Sequence, residues 1–408
     1  MAKKNNIIVG LDIGTTKICA IVGEVKPEGI DIKGIGTCPS KGLRKGVIVN
    51  IDGTVKAIKE AVKEAETISG VEIDSVFTGI AGGHISGVNS NGMIAVKGTE
   101  ITKEDIKRVI EQATALNIPA DREVIHVIPQ EFIVDGQDGI KDPVGMSGVR
   151  LEAKVHIVTG AVASAQNIVK ACNRAGLNVQ DIVIEQLASS EAILNSDEKE
   201  LGVAVVDIGG GTTDIAVFYE NSIAYTGIIS IGGDQVTNDI AVGLRTPLES
   251  AEQIKRTYGC CYSDFVYEDE EIEVPGIGGR NPKTMPRSLL VEIIEPRVEE
   301  LFMLIRREIE KSEIYGSLAS GIVLTGGTVI MDGMVELGEE IFELPVRIGK
   351  PKKLQGLFDA VDSPMYSTAV GLLLYGGKNM QREEFPVRSR KVFDNTFKRM
   401  KEWFKEFF

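Results

Sequence analysis

The chain has 408 residues, 43% of them hydrophobic and 25% charged, with a formal net charge of -14. That length calls for two or more domains with substantial cores, and the acidic excess argues against nucleic acid as the main partner. Apolar runs are broken by glycine or charge before spanning length, which argues against a transmembrane helix, and the apolar stretch after the first few residues meets Asp12 too soon for a signal peptide.

In chain order, residues 8–22 (IVGLDIGTTKICAIV) come first and read as strand, tight turn and strand. Asp12, Gly14, Thr15, Thr16 and Lys17 occupy the turn and its flanks. A helix is expected from about Thr54 to Ser69, and VFTGIAGG closes a first lobe at about residue 83. Residues 84–160 read as an inserted α+β subdomain. Its helix starts at Thr102 with acidic residues in the first turn and continues as IKRVIEQATAL, apolar at spacings of three and four. Strands around a Gly/Pro-rich turn follow. Nothing in this segment suits phosphate chemistry, so its surface is read as an interaction face. Residues 161–200 return to the first lobe, giving it the spans 1–83 and 161–200.

Residue 201 starts a second lobe, 201–239 with 319–378, and its hairpin at 205–217 (VVDIGGGTTDIAV) carries the strongest signal in the chain. Gly209, Gly210 and Gly211 let the backbone come close to a ligand. Successive N–H groups in such a turn form an anion-binding concavity, to which Thr212 and Thr213 add hydroxyls. Asp207 and Asp214 would repel a bare anion, but they make sense beside a Mg2+ ion that keeps its waters and shares a polyphosphate. Taken alone, the segment is equally an ordinary Gly-rich hairpin. It does not stand alone: Asp12, Gly14, Thr15 and Thr16 match Asp207, Gly209, Thr212 and Thr213, with Lys17 in the place of Asp214. A motif repeated at long range implies two related domains facing one ligand. No G-x-x-x-x-G-K-[ST] occurs, and DIAVFY after the glycines is strand where a dinucleotide fingerprint needs a helix. Gly232 and Gly233 open a helix whose N-terminus can face a nucleotide. The five cysteines lack Cys-x-x-Cys spacing, adjacent Cys260 and Cys261 read as plain thiols, and His84, His126 and His156 are scattered, ordinary hydrogen-bonded residues. No metal site is expected from protein side chains alone.

The two hairpins resemble the phosphate motifs of the actin, sugar-kinase and heat-shock-chaperone ATPase superfamily. So do a strand running into Gly326, Gly327 and Thr328 and two small-residue helices at 184–194 and 367–376. The resemblance implies an α/β, actin-like (ribonuclease H-like) two-domain ATPase fold that binds ATP and Mg2+. It implies Gly326, Gly327 and Thr328 against the adenosine, Asp12 and Asp207 toward Mg2+ through water and phosphate, and Glu185 orienting a water for at most slow hydrolysis. Glu252 and Lys255 have the spacing that superfamily members use toward ribose and adenine, although the residues alone read as a plain i,i+3 surface pair. Residues 124–152, with VIHVIPQEFIVDGQ and GIKDPVGMSGVRLE, narrow the resemblance to the FtsA family of bacterial cell-division actin homologues. That family implies self-association into filaments, other division proteins at 84–160, and a second inserted subdomain, 240–318, that receives the acidic C-terminal peptide of the tubulin homologue FtsZ. Arg280, Lys283, Arg287, Arg297, Arg306 and Arg307 make that region locally basic, while each by itself is a solvated charge.

After a polar linker, 379–390, comes KVFDNTFKRMKEWFKEFF at 391–408. Phe393, Phe397, Met400, Phe404 and Phe407 fall on one helical face, with Trp403 and Phe408 beside it and Lys398, Arg399, Lys401 and Lys405 on a basic flank. Such an amphipathic helix suits the headgroup region of an anionic phospholipid membrane; docking on its own body or on a partner protein is the alternative. Many weak anchors on one filament gain avidity. The expectation is therefore an ATP-binding actin-like protein that tethers the FtsZ ring to the cytoplasmic face of the inner membrane at the septum, as a peripheral protein. A small-molecule kinase, or a pilus-assembly or chaperone-like ATPase of the same superfamily, is the alternative.

Overall fold

The strand Val203–Ile208 is buried along its whole length, as its near-continuous apolar run, broken only by Asp207, requires when a sheet is covered on both faces. It sits at the centre of a five-stranded sheet in the computed structural model, which describes residues 6–382 apart from Glu268 and Lys353. The order is Ser222–Ile229, Thr213–Tyr219, Val203–Ile208, Ile322–Thr325 and Val346–Ile348. The first three form an antiparallel meander and the last two run parallel to the centre. The other large sheet repeats the plan. Gly29–Pro39, Lys17–Lys26 and Ile7–Ile13 form the meander, and Ser75–Ile80 and Asn178–Ile184 are the parallel strands. Two copies of one strand order make the expected actin-like α/β fold. A short strand from late in the chain, Gln355–Gly356, adds to the edge of the first sheet.

Helix Ile51–Ser69 covers the first sheet with Val55, Ile58, Ala61, Val62 and Ala65, which recur on one face. Its start is earlier than expected because Asn50, whose side chain accepts from Gly53 N–H, caps it there. Helices Glu185–Ile193 and Ser367–Arg382 pass between the lobes. They cross in backbone contact: a Cβ on Gly371 would lie 1.8 Å from Ala188 O. The second of them extends to Arg382, into the stretch expected to be linker.

The inserted segment forms its own antiparallel sheet, in the order Ser86–Ala95, Arg150–Ala161, Arg122–Val134 and Gln137–Ile140. Helix Lys103–Thr114, capped reciprocally by Thr102 and Asp105, joins Ile106, Val109 and Ile110 to Phe132, Leu151 and Val155 in a separate core. This sheet docks on the second lobe's edge strand. Gln130 Nε2 donates to Ile223 O (2.8 Å), Asn89 Nδ2 to Ala224 O (3.1 Å) and Ser222 Oγ to Gln130 O (2.8 Å). His156 sits in the same contact, with Nδ1 2.6 Å from Asn89 Oδ1 and Nε2 2.9 Å from Thr226 Oγ1.

Further along, helices Gly233–Leu244 and Leu248–Tyr258, a small hairpin and helix Arg287–Glu310 pack on the second lobe. All five cysteines are buried and free. No helix among the described residues is long and apolar enough to cross a membrane. The candidate membrane residues Phe393, Phe397, Lys398, Arg399, Met400, Lys401, Trp403, Phe404, Lys405, Phe407 and Phe408 lie outside the described residues.

Candidate functional site

Each large sheet ends its first hairpin in the same way. In the first lobe Asp12 pairs with Cys19 across the strands and Gly14 N–H donates to Lys17 O (3.0 Å). In the second, Asp207 pairs with Asp214 and Gly209 N–H donates to Thr212 O (2.9 Å). The duplication is thus one of backbone geometry, but the registers correct the expected residue matching: the two turns are equal in length, so Cys19 and not Lys17 stands at the place of Asp214, Lys17 stands at that of Thr212, and Thr15 and Thr16 stand at those of Gly210 and Gly211. The two turns face each other. A Cβ on Gly210 would lie 2.3 Å from Thr16 Cγ2, and one on Gly211 would lie 2.7 Å from Thr15 Oγ1. Thr15 Oγ1 accepts from Gly46 N–H at 3.0 Å, and Thr213 Oγ1 donates to Ile231 O at 2.9 Å.

The acidic groups converge behind these turns. Asp12, Asp207 and Asp214 are buried. Burial is the largest influence on each. It raises the Asp12 carboxyl to about 6, partly offset by Lys17 and reinforced by Asp207. Asp214 rises to about 8, with Asp207 and Asp12 adding repulsion and a Thr212 hydrogen bond opposing. Asp207 is raised too, against hydrogen bonds from Ser189 and Thr368. Glu185, at the first turn of the connecting helix, is pushed well above the usual glutamate range by burial and then by Asp12, Asp214 and Asp207. Asp214 Oδ1 is buried without a hydrogen-bond partner among the described residues. Among those residues no three His, Cys, Asp or Glu side chains can hold a metal ion by themselves. Crowded carboxylates with an unmatched oxygen fit a hydrated divalent cation that shares its shell with a ligand's oxygens.

The remaining expected residues surround the second turn. Gly233 and Asp234 N–H groups donate to Gly209 and Gly210 carbonyls (2.9 and 2.8 Å), and Gly232 N–H to Gln235 Oε1. The helix start therefore braces the turn. Thr328 Oγ1 donates to Gly209 O (2.9 Å). Gly326 has φ +95° and leaves Asp207 Oδ1 only 2.5 Å from where a Cβ would stand, so no other residue fits there. Gly327 follows it, with a Cβ position 3.8 Å from Met365. Lys255 Nζ donates to Gly233 O (3.1 Å) and Thr237 Oγ1 (2.8 Å) and pairs with Glu252 at 2.7 Å, which joins this helix to the site rather than leaving a remote surface pair. Lys17 Nζ reaches across to the base of the second connecting helix, where it donates to Met365 O (2.7 Å) and lies over the Tyr366 ring.

Two site residues escaped the sequence reading: Ser189 and Thr368, one on each connecting helix, both of which donate to Asp207. The only sequence signal was a small hydroxyl residue on each of two small-residue helices. Elsewhere, the basic character expected at 280–307 is partly neutralised within the chain. Arg287 pairs with Glu270, Arg297 with Asp239 and Glu300, and Arg306 with Glu310 and Glu343.

A family model described as Cell division protein FtsA matches residues 204–371, and one described as SHS2 domain inserted in FTSA matches residues 82–159. A model of Ethanolamine utilisation protein EutA matches residues 150–257. The Cell division protein FtsA of Pseudomonas aeruginosa is 52% identical over 375 residues, which span 92% of this chain and 90% of that one. Among solved structures, the PilM-PilN type IV pilus biogenesis complex aligns with a TM-score of 0.65 at 18% identity, covering 91% of this chain and 98% of that one. MreB5 of Spiroplasma citri bound to ADP aligns with a TM-score of 0.58 at 14% identity, covering 93% and 100%. At such identities these structures show the fold.

Proposed function

The chain belongs to the FtsA family of cell-division proteins, and from that premise we propose that it is an ATP-binding, filament-forming actin-like protein that ties the FtsZ ring to the cytoplasmic membrane. The observation that carries the nucleotide reading is the meeting of two duplicated turns from opposite lobes over a set of buried carboxylates. Turn N–H groups and the hydroxyls of Thr15 and Thr16 would hold phosphate oxygens, while Thr212 and Thr213, whose hydroxyls bond to Asp214 and to Ile231 O, would shape the second turn. Gly326, Gly327 and Thr328 would take the adenosine, with Glu252 and Lys255 on its far side. Asp12 and Asp207 would hold Mg2+ through water, and Asp214 belongs to the same acidic wall. When bound, the ion supplies positive charge to the polyphosphate and relieves the repulsion among these carboxyls. Glu185 would orient a water, and slow turnover is all that this arrangement asks of it.

The same reading assigns the acidic C-terminal peptide of FtsZ to the 240–318 subdomain, other division proteins to the 84–160 subdomain, and an anionic phospholipid surface to the aromatic and basic residues of 391–408. Filament formation multiplies weak membrane contacts. The full chain should bind a fluorescent ATP analogue in Mg2+ and float with anionic liposomes. A chain cut before Lys391 should keep the first property and lose the second. Flotation of the shortened chain would remove the tail as anchor, and failure of the full chain to bind any adenine nucleotide would remove the ATP reading.

A further inference from the structure

Asp207 stands at the end of a second-lobe strand, yet its carboxylate is held by neither lobe's sheet. Ser189 Oγ, from the first connecting helix, donates to Oδ2 at 2.5 Å, and Thr368 Oγ1, from the second, donates to the same oxygen at 3.0 Å. The two hydroxyls are 3.1 Å apart, and all three residues are buried. Ser189 Oγ is also 3.0 Å from Glu185 O, the usual bond of a mid-helix serine. It has one hydrogen, and the charge-assisted bond to a carboxylate is the shorter and stronger use of it. With Oδ2 doubly engaged, Oδ1 is the oxygen left at the Gly326 side of the cleft.

The donors sit beside the crossing of the helices. Ser189 follows Ala188, whose carbonyl meets Gly371, and Thr368 precedes Gly371 by one turn on the other helix. Any change in how the helices cross moves both hydroxyls against the carboxylate. We propose that Ser189 and Thr368 are positioning residues that fix Asp207 from this crossing point, so that the cation requirement of ligand binding depends on the relative placement of the lobes. The inference rests on the nucleotide reading above and adds to it the residues that set the cation dependence.

The test titrates a fluorescent ATP analogue into the full-length protein over a series of Mg2+ concentrations, for wild type, Ser189→Ala, Thr368→Val, the double variant, and the hydroxyl-keeping Thr368→Ser. Loss of residues that orient a metal's carboxylate weakens metal affinity about 10-fold or more. The double variant should therefore need about 10-fold more Mg2+ for half-maximal binding. At saturating Mg2+ it should bind the analogue about as tightly as wild type, and Thr368→Ser should track wild type throughout. Should the double variant not fold, each single variant, expected to raise the Mg2+ requirement by up to about 10-fold, carries the same test. An unchanged Mg2+ requirement overturns the inference. So does a loss of affinity that saturating Mg2+ does not restore, since that is the mark of a merely structural role. Wild type that binds no analogue at any Mg2+ concentration overturns the nucleotide reading itself, and the inference with it.

Discussion

Where the two turns meet, Asp12, Asp207 and Asp214 are buried together with Glu185 beside them, and every one of these carboxyls is driven above its ordinary range. Where the inserted sheet meets the second lobe, the buried titratable group is His156, and each ring nitrogen has a neutral partner, Asn89 or Thr226. Asn89 Oδ1 can only accept, because the amide nitrogen of that residue donates to Ala224 O. The ring therefore carries its hydrogen on Nδ1 and accepts from the Thr226 hydroxyl at Nε2. Both contacts bridge the two halves of the chain, by opposite means. The first crowds carboxyls that repel one another; the second gives each ring nitrogen a partner.

His156 probes the neutral contact and should give the largest effect. Burial lowers its pKa from 6.5 to about 4. The unfolded chain then takes up the proton first, so the contribution of the neutral ring is whole above pH 6.5 and disappears as the pH falls toward 4. At about 1.4 kcal/mol per pH unit, the interval corresponds to about 3 kcal/mol. Denaturant titrations of wild type and His156→Gln at a series of pH values should show the wild type losing about 3 kcal/mol more than the variant across that window. Parallel curves would mean that the ring is not held neutral, and the contrast between the two contacts would fail.

Asp214→Asn attacks the charged contact and should act with the opposite sign. Its carboxyl rises to about 8 in the folded state, whereas unfolded carboxyls ionise near 4, so stability falls as the pH climbs between those values. Replacing a carboxyl that the unfolded chain ionises and the fold holds protonated should stabilise the protein in EDTA by about 1–2 kcal/mol at neutral pH, with the gain growing as the pH rises toward 8. Addition of MgATP should then protect the variant less than it protects wild type. Thermal unfolding with and without MgATP reads both effects. A variant less stable in EDTA would show that the carboxylate makes a favourable contact of its own.

The charged contact was legible in the residues and the neutral one was not, for a physical reason. Each turn is local: an apolar run, an aspartate, glycines and threonines lie within a dozen positions, and their repetition at 8–22 and 205–217 announces the duplicated fold. His156 meets Asn89 and Thr226, which lie 67 and 70 positions away. Its sequence neighbours say only that it is hydrogen-bonded somewhere. Thr368 reaches Asp207 over 161 positions, and whether a small residue on a helix faces a carboxylate depends on how the helices cross. The basic reading of the stretch 280–307 is incomplete in sequence for a similar cause. Composition counts Arg287, Arg297 and Arg306 as positive charge but does not show Glu270, Asp239 and Glu343 folded against them.

The smallest expected effect asks whether the two contacts are separate. Gln130 Nε2 donates to Ile223 O and lies 3.3 Å from Asn89 Oδ1, the same oxygen that faces His156. Gln130→Ala removes two side-chain hydrogen bonds at a partly exposed site, the one to Asn89 long, and should cost about 1 kcal/mol. Because Gln130 and His156 share Asn89, combining Gln130→Ala with His156→Gln should depart from additivity by about 0.5–1 kcal/mol. Gln130→Ala and Asp214→Asn share no hydrogen-bond partner, and their effects should add to within about 0.5 kcal/mol. Denaturant unfolding of the two double-mutant cycles in EDTA decides the matter. Strong coupling between Gln130 and Asp214 would mean that the inserted sheet feels the charge in the cleft even without a ligand, and the two contacts would then be parts of one device.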